Sequence, residues 1–89
     1  MEKEDRPIQN FPDTYSIKAV GKDVDGFAEF ALGIVRSIVN DPETVTHYSR
    51  SSRNGAYLSV TISFVAIDQA QLDQVFTEMS SQERVVWVL

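Results

Sequence analysis

Cysteine is absent from this chain of 89 residues. That excludes disulfides, thiolate metal sites and cysteine nucleophiles together. A reducing compartment is compatible with such usage, and a cytoplasmic location is expected. Histidine occurs once, at His47. One histidine with scattered carboxylates does not assemble a zinc site, and no metal or other cofactor is expected. No apolar run approaches the ~20 residues that span a bilayer, so no membrane partner is expected. The opening Met1-Glu2-Lys3-Glu4-Asp5-Arg6-Pro7 mixes charges and lacks an apolar core, so it does not read as a secretory signal. Basic residues are few, 8 against 13 acidic, for a net charge of −5. Such a chain repels phosphate backbones at long range, which disfavours general nucleic-acid binding.

The charge is unevenly placed. No acidic residue occurs between Thr44 and Ile67, where His47, Arg50 and Arg53 lie. Surface charges are usually simply solvated, yet this basic stretch is also a candidate anion site. It reads as a flexible Ser/Arg/Asn/Gly loop, Ser49 to Gly55, running into a strand. From Tyr57 onward polar and apolar residues alternate. Leu58, Val60, Ile62 and Phe64 share one face, and Tyr57, Ser59, Thr61 and Ser63 share the other. Helices must cover the first face, and the second can meet water or a partner.

The remaining elements follow from periodicity. Residues 1–11 read as a flexible polar tail, held only if Phe11 docks. The single folded domain is placed at 12–89. Tyr15 to Val20 reads as a strand closed by Gly21. Asp23 or Asp25 is expected to cap a helix from Asp25 to Val39. Its buried stripe is Phe27, Phe30, Ala31, Ile34, Val35 and Ile38. Gly33 inside it suggests a close helix-to-sheet contact. Asn40-Asp41-Pro42 stops the helix. Glu43 to Ser49 reads as a polar edge strand, and Ala56 to Ile67 as the strand after the basic loop. Asp68 caps a second helix, with Gln71 as capping-box partner. Leu72, Val75, Phe76 and Met79 form its apolar face. Arg84 to Leu89 is the last strand. Strict alternation there gives Val85 and Trp87 one face, and Val86 and Val88 the other.

Strand, helix, strand, strand, helix, strand is the ferredoxin-like βαββαβ order, an α+β fold. It places two helices on one face of a four-stranded antiparallel sheet. That fold hosts many functions, so the site must decide. A copper-chaperone reading needs paired cysteines. An acylphosphatase reading needs an Arg-bearing phosphate cradle where this chain has Gly21-Lys22-Asp23-Val24-Asp25-Gly26. An RNA-recognition reading finds a partial basic-Gly-aromatic run in Arg53-Asn54-Gly55-Ala56-Tyr57. It needs exposed aromatics on the central strands, and the net charge opposes it. His47 and Ser49 share a strand face, the usual mark of a solvated pair rather than of a base and nucleophile. In ACT-type regulatory domains of the same topology, an acidic residue and a glycine open the first helix. Asp25-Gly26-Phe27 resembles that pattern, which holds a carboxylate on backbone N–H groups.

The residues Phe11-Pro12, Tyr15-Ser16-Ile17-Lys18-Ala19-Val20-Gly21, Ser51-Ser52-Arg53-Asn54-Gly55-Ala56-Tyr57-Leu58-Ser59-Val60 and Val85-Val86-Trp87-Val88-Leu89 together resemble the YbeD-like family of small bacterial proteins. The resemblance implies the ferredoxin-like fold, a likeness to ACT domains, a bacterial cytoplasm and proximity to lipoate-biosynthesis genes. It supplies no reaction. The expectation is a non-enzymatic, ACT-like binding or regulatory module, with homodimerisation possible. Its ligand is an anionic small molecule or a partner protein. The candidate binding residues are Lys18, Arg50, Arg53, Tyr57 and Ser59. The alternative is a nucleic-acid-binding module on the same open face.

Overall fold

The computed structural model describes residues 11–89. The expected tail lies outside the described residues except for Phe11, whose ring stacks on Tyr15 at 5.5 Å. The elements are β1 (Asp13–Lys22), α1 (Phe27–Ile38), a 3-10 turn (Pro42–Thr44), β2 (Thr46–Ser51), β3 (Tyr57–Ala66), α2 (Gln69–Ser80) and β4 (Val85–Val88). All strand pairs are antiparallel, in the order β2-β3-β1-β4. This is the ferredoxin-like arrangement, with β1 and β3 central and β2 and β4 at the edges.

Alternation in β3 sets the layers. Val60, Ile62, Phe64 and Ala66 are buried, as are Ile17 and Ala19 opposite Ile62 and Val60 on β1, and Gly21 opposite Leu58. Against them pack Phe27, Ala31, Leu32 and Val35 of α1, and Leu72, Val75 and Met79 of α2. Both helices therefore cover one sheet face, because only that face is apolar enough to dismiss its water.

Several boundaries differ from the sequence expectation. Glu43 is not in a strand: Pro42 fixes its own φ and opens a 3-10 turn, closed by the Val45 N–H donating to the Pro42 carbonyl at 3.2 Å. β2 therefore starts later and runs to Ser51, which puts Arg50 on a strand rather than in a flexible loop. The turn itself is tied down. Ser52 N–H donates to the Tyr57 carbonyl at 2.8 Å, and Ala56 N–H to Asn54 Oδ1 at 3.1 Å. Gly55 takes the positive φ of 77° that this turn requires.

No aspartate caps α1. Its N-cap is Gly26, left-handed at φ 66°, after Asp25 at φ 51°, and no side chain bonds to the helix end. Arg84 holds the turn instead, donating to the Val24 carbonyl and to the Asp25 carbonyl at 3.2 Å. Its guanidinium lies 4.7 Å over the Phe30 ring, a cation–π contact that leaves the N–H groups free to reach those carbonyls. The close approach between α1 and the sheet is at Gly21, not Gly33. A Cβ at Gly21 would collide with the Phe27 ring and the Arg84 carbonyl, whereas Gly33 faces open space.

Asp68 caps α2 as expected, accepting from the Gln71 N–H at 2.8 Å. Gln71 does not close the expected capping box, because its side chain reaches past the Asp68 N–H to the residue before the cap. Its Oε1 accepts from the Ile67 N–H at 3.0 Å, and its Nε2 donates to the Ile38 carbonyl and to Asn40 Oδ1. The start of α2 is thereby tied to the end of α1.

Candidate functional site

The open face is the sheet surface away from the helices, and pair register orders it into rows. Arg50, Ser59, Val20 and Trp87 lie side by side across β2, β3, β1 and β4. One row on, Tyr48, Thr61 and Lys18 are followed by Leu89, whose backbone pairs with Lys18 in both directions. On the other side of the first row, Tyr57 lies opposite Lys22. Strand alternation projects all these side chains the same way.

Trp87 reaches this face through a bulge. Gly21 pairs with Val85 but Val20 pairs with Trp87, so one extra residue, Val86, is inserted on β4. Val85 is buried on the helix side, and Trp87 is exposed on the other. The expected shared face of Val85 and Trp87 is thereby overturned. Strict alternation holds only while the ladder is regular, and nothing in Val-Val-Trp-Val marks the insertion.

A hollow of about 170 Å³ is lined by Val20, Arg50, Ser51, Ser52, Tyr57 and Ser59. Its floor is fixed by local bonds. Ser59 Oγ donates to the Arg50 carbonyl at 3.5 Å, and Ser52 Oγ accepts from the Tyr57 N–H at 3.0 Å. Val20 and the Tyr57 ring supply apolar wall, Arg50 the charge. Among the described residues, no carboxylate pairs with Arg50 (all ten described acids lie in helices, turns or, for Asp13, on the helix side of β1).

Of the five residues singled out in the sequence, Arg50, Tyr57 and Ser59 meet at this hollow. Lys18 shares the open face but sits one row away, opposite Thr61. Arg53 stands in the turn, exposed and outside the hollow's lining. Val20 was missed because a valine on a central strand reads as core. Only the register shows that its face is the uncovered one. Ser52 was missed as a lining residue because its bond to the Tyr57 N–H depends on the turn geometry. His47 and Ser49 are exposed on the other side of β2, opposite Ile62 and Val60.

A second hollow, about 240 Å³, lies beside the β1–α1 turn and is lined by Lys22, Val24, Glu83, Arg84 and Val86. Arg84 is engaged there with the turn carbonyls and the Phe30 ring. The site is therefore less open to an anion than the Arg50 hollow.

The profile of a family described as "Protein of unknown function (DUF493)" matches residues 6–89. The chain belongs to that family. A UPF0250 protein of Nitrosomonas europaea, NE1487, is 37% identical over 79 residues, covering 89% of this chain and 91% of that protein. A UPF0250 protein of Paraburkholderia phytofirmans is 28% identical over 89 residues, the full length of both. These matches bear out the YbeD-like resemblance. Among solved structures, protein HP0495 of H. pylori superposes with a TM-score of 0.72 at 14% identity, over 94% of this chain and 88% of that one. The C-terminal domain of the MgtC protein of Mycobacterium tuberculosis superposes with a TM-score of 0.57, also at 14% identity, over 93% and 89%. At such identities the likeness speaks for the fold alone. Among the described residues, no helix is long and apolar enough to cross a membrane.

Proposed function

We propose that this protein is a non-enzymatic, ACT-like binding module of the bacterial cytoplasm that takes a carboxylate-bearing ligand on its open sheet face. The observation that carries this reading is Arg50, fixed on a strand beside Ser59 and Tyr57 with no described carboxylate as partner. A guanidinium fork matches a carboxylate in two parallel hydrogen bonds, and the Tyr57 hydroxyl beside the hollow is a further donor. The net charge of −5 makes a cationic hollow on this chain more selective, since the rest of the surface repels the same ligand.

A nucleic-acid role on the same face is less well supported. Base stacking needs aromatics on the central strands, and on β1 and β3 the open face carries only Tyr57. The family resemblance makes lipoate-pathway acids worth including beside amino acids as trial ligands.

Isothermal titration of the full chain with that panel tests the reading. One carboxylate binds, and Arg50→Gln weakens it about tenfold or more, as expected for a lost charge-assisted hydrogen bond. Arg53→Gln has a smaller effect, because Arg53 stands outside the hollow. Equal affinity in wild type and Arg50→Gln contradicts the proposal.

A further inference from the structure

The cations of the open face are spread more widely than one small ligand can reach. Lys18 and Lys22 are four residues apart on β1, about 13 Å at the backbone. Arg50 lies two strands away, between their rows, about 12 Å from each. The three form a triangle that no acidic side chain faces from β1, β2, β3 or β4, while the acid Glu83, in the turn before β4, lines the second hollow with Lys22. Beside the triangle runs an apolar strip of Val20, Trp87 and Leu89. Trp87 is 48% exposed and Leu89 63%, a large apolar area for a small domain to leave in water.

We infer that this face docks an acidic amphipathic helix of a partner protein. The inference rests on the carboxylate reading above and names the carrier of the carboxylates. Acids two turns apart on one helix face are separated by about 11–12 Å, close to the separation of any two of the three cations. Apolar side chains of the same helix pack on the Val20–Trp87–Leu89 strip. The sheet, about 14 Å across four strands, accommodates one helix of about 10 Å diameter. Docking turns a two-layer domain into three layers and covers the exposed indole.

Charge complementarity selects this occupant over two others. A second copy brought open face to open face would set three cations against three cations. An RNA strand would find the open-face aromatics dispersed: Tyr48 and Trp87 stand on opposite edges of the sheet, about 16 Å apart, and Tyr57 lies about 12 Å or more from either, too far to stack neighbouring bases.

The test uses the isotope-labelled full chain and two synthetic helical peptides with the same leucine pattern. One carries glutamates on the flanks of its apolar face, the other lysines. The glutamate peptide is expected to shift amides of β1 and β3 and to move the emission of Trp87, the only tryptophan. Its affinity falls about tenfold between 0.05 and 0.3 M salt, and Lys18→Gln and Lys22→Gln each weaken it severalfold. The lysine peptide does not bind. A small carboxylate is titrated in parallel. If it binds and the glutamate peptide does not, the inference fails while the carboxylate reading stands. If neither binds, both fail. Equal binding of the two peptides, tighter binding of a single-stranded RNA oligonucleotide to this face, or a peptide-free dimer that buries Trp87 each overturns the inference.

Discussion

The ring of Phe27 occupies the space that a side chain at residue 21 would fill. This contact sets the distance of α1 from the sheet and thus the packing behind the open face. Alanine at position 21 must displace a buried ring and the Arg84 carbonyl together. Gly21→Ala is expected to cost about 3 kcal/mol by overpacking. Urea denaturation of the variant measures it, and a loss under 1 kcal/mol, on the order of a surface change, would show that α1 is free to move away.

Gly33→Ala should do the opposite. The position is helical, solvent-facing and empty around. Removing a helix-interior glycine stabilises by up to about 1 kcal/mol. The melting temperature should rise by several degrees, roughly 4–8 °C per kcal/mol at this size.

Gln71 joins the two helices through both ends of its amide. Gln71→Ala loses those bonds and leaves a half-buried Ile67 N–H unsatisfied, for a loss of about 2 kcal/mol. Gln71→Glu retains the acceptor but sets a charge against the Ile38 carbonyl and Asn40 Oδ1. Restored stability in Gln71→Glu would mean that the link between the helices contributes nothing.

Arg84 braces the turn that precedes α1 by donating to its carbonyls, while the N–H groups at the helix start receive no side-chain cap. In Arg84→Gln the Val24 and Asp25 carbonyls lose a charged donor, and Phe30 loses its cation–π partner. Amide hydrogen exchange at Phe27–Phe30 should then quicken about tenfold, the equivalent of roughly 1.4 kcal/mol of local stability. Unchanged protection there contradicts the assignment.

The fold was legible where side-chain period and burial agree. Leu58 to Phe64 alternate over a full strand, and Leu72, Val75 and Met79 repeat at helical spacing, so each announces its covered face. Asp68 was legible as a cap because a capping aspartate acts on residues three ahead. What stayed hidden depends on distant partners. Asp23 and Asp25 look like caps, but an arginine about 60 residues later holds that turn. Gly33 and Gly21 are alike as letters, and only packing shows which one a neighbour fills. The bulge that turns Trp87 outward has no local signature. Of the site, the residue types were visible, but their separation into a hollow at Arg50, a lysine one row away and an arginine beyond the turn required the strand register.

The most direct measurement is a map of backbone amide shifts in the full chain on titration with the best-binding carboxylate. The account predicts perturbations centred on Val20, Arg50, Tyr57 and Ser59, the lining of one hollow. Shifts confined to Asp25, Gly26 and Phe27, at the start of α1, would contradict it and move the site to the other face of the turn.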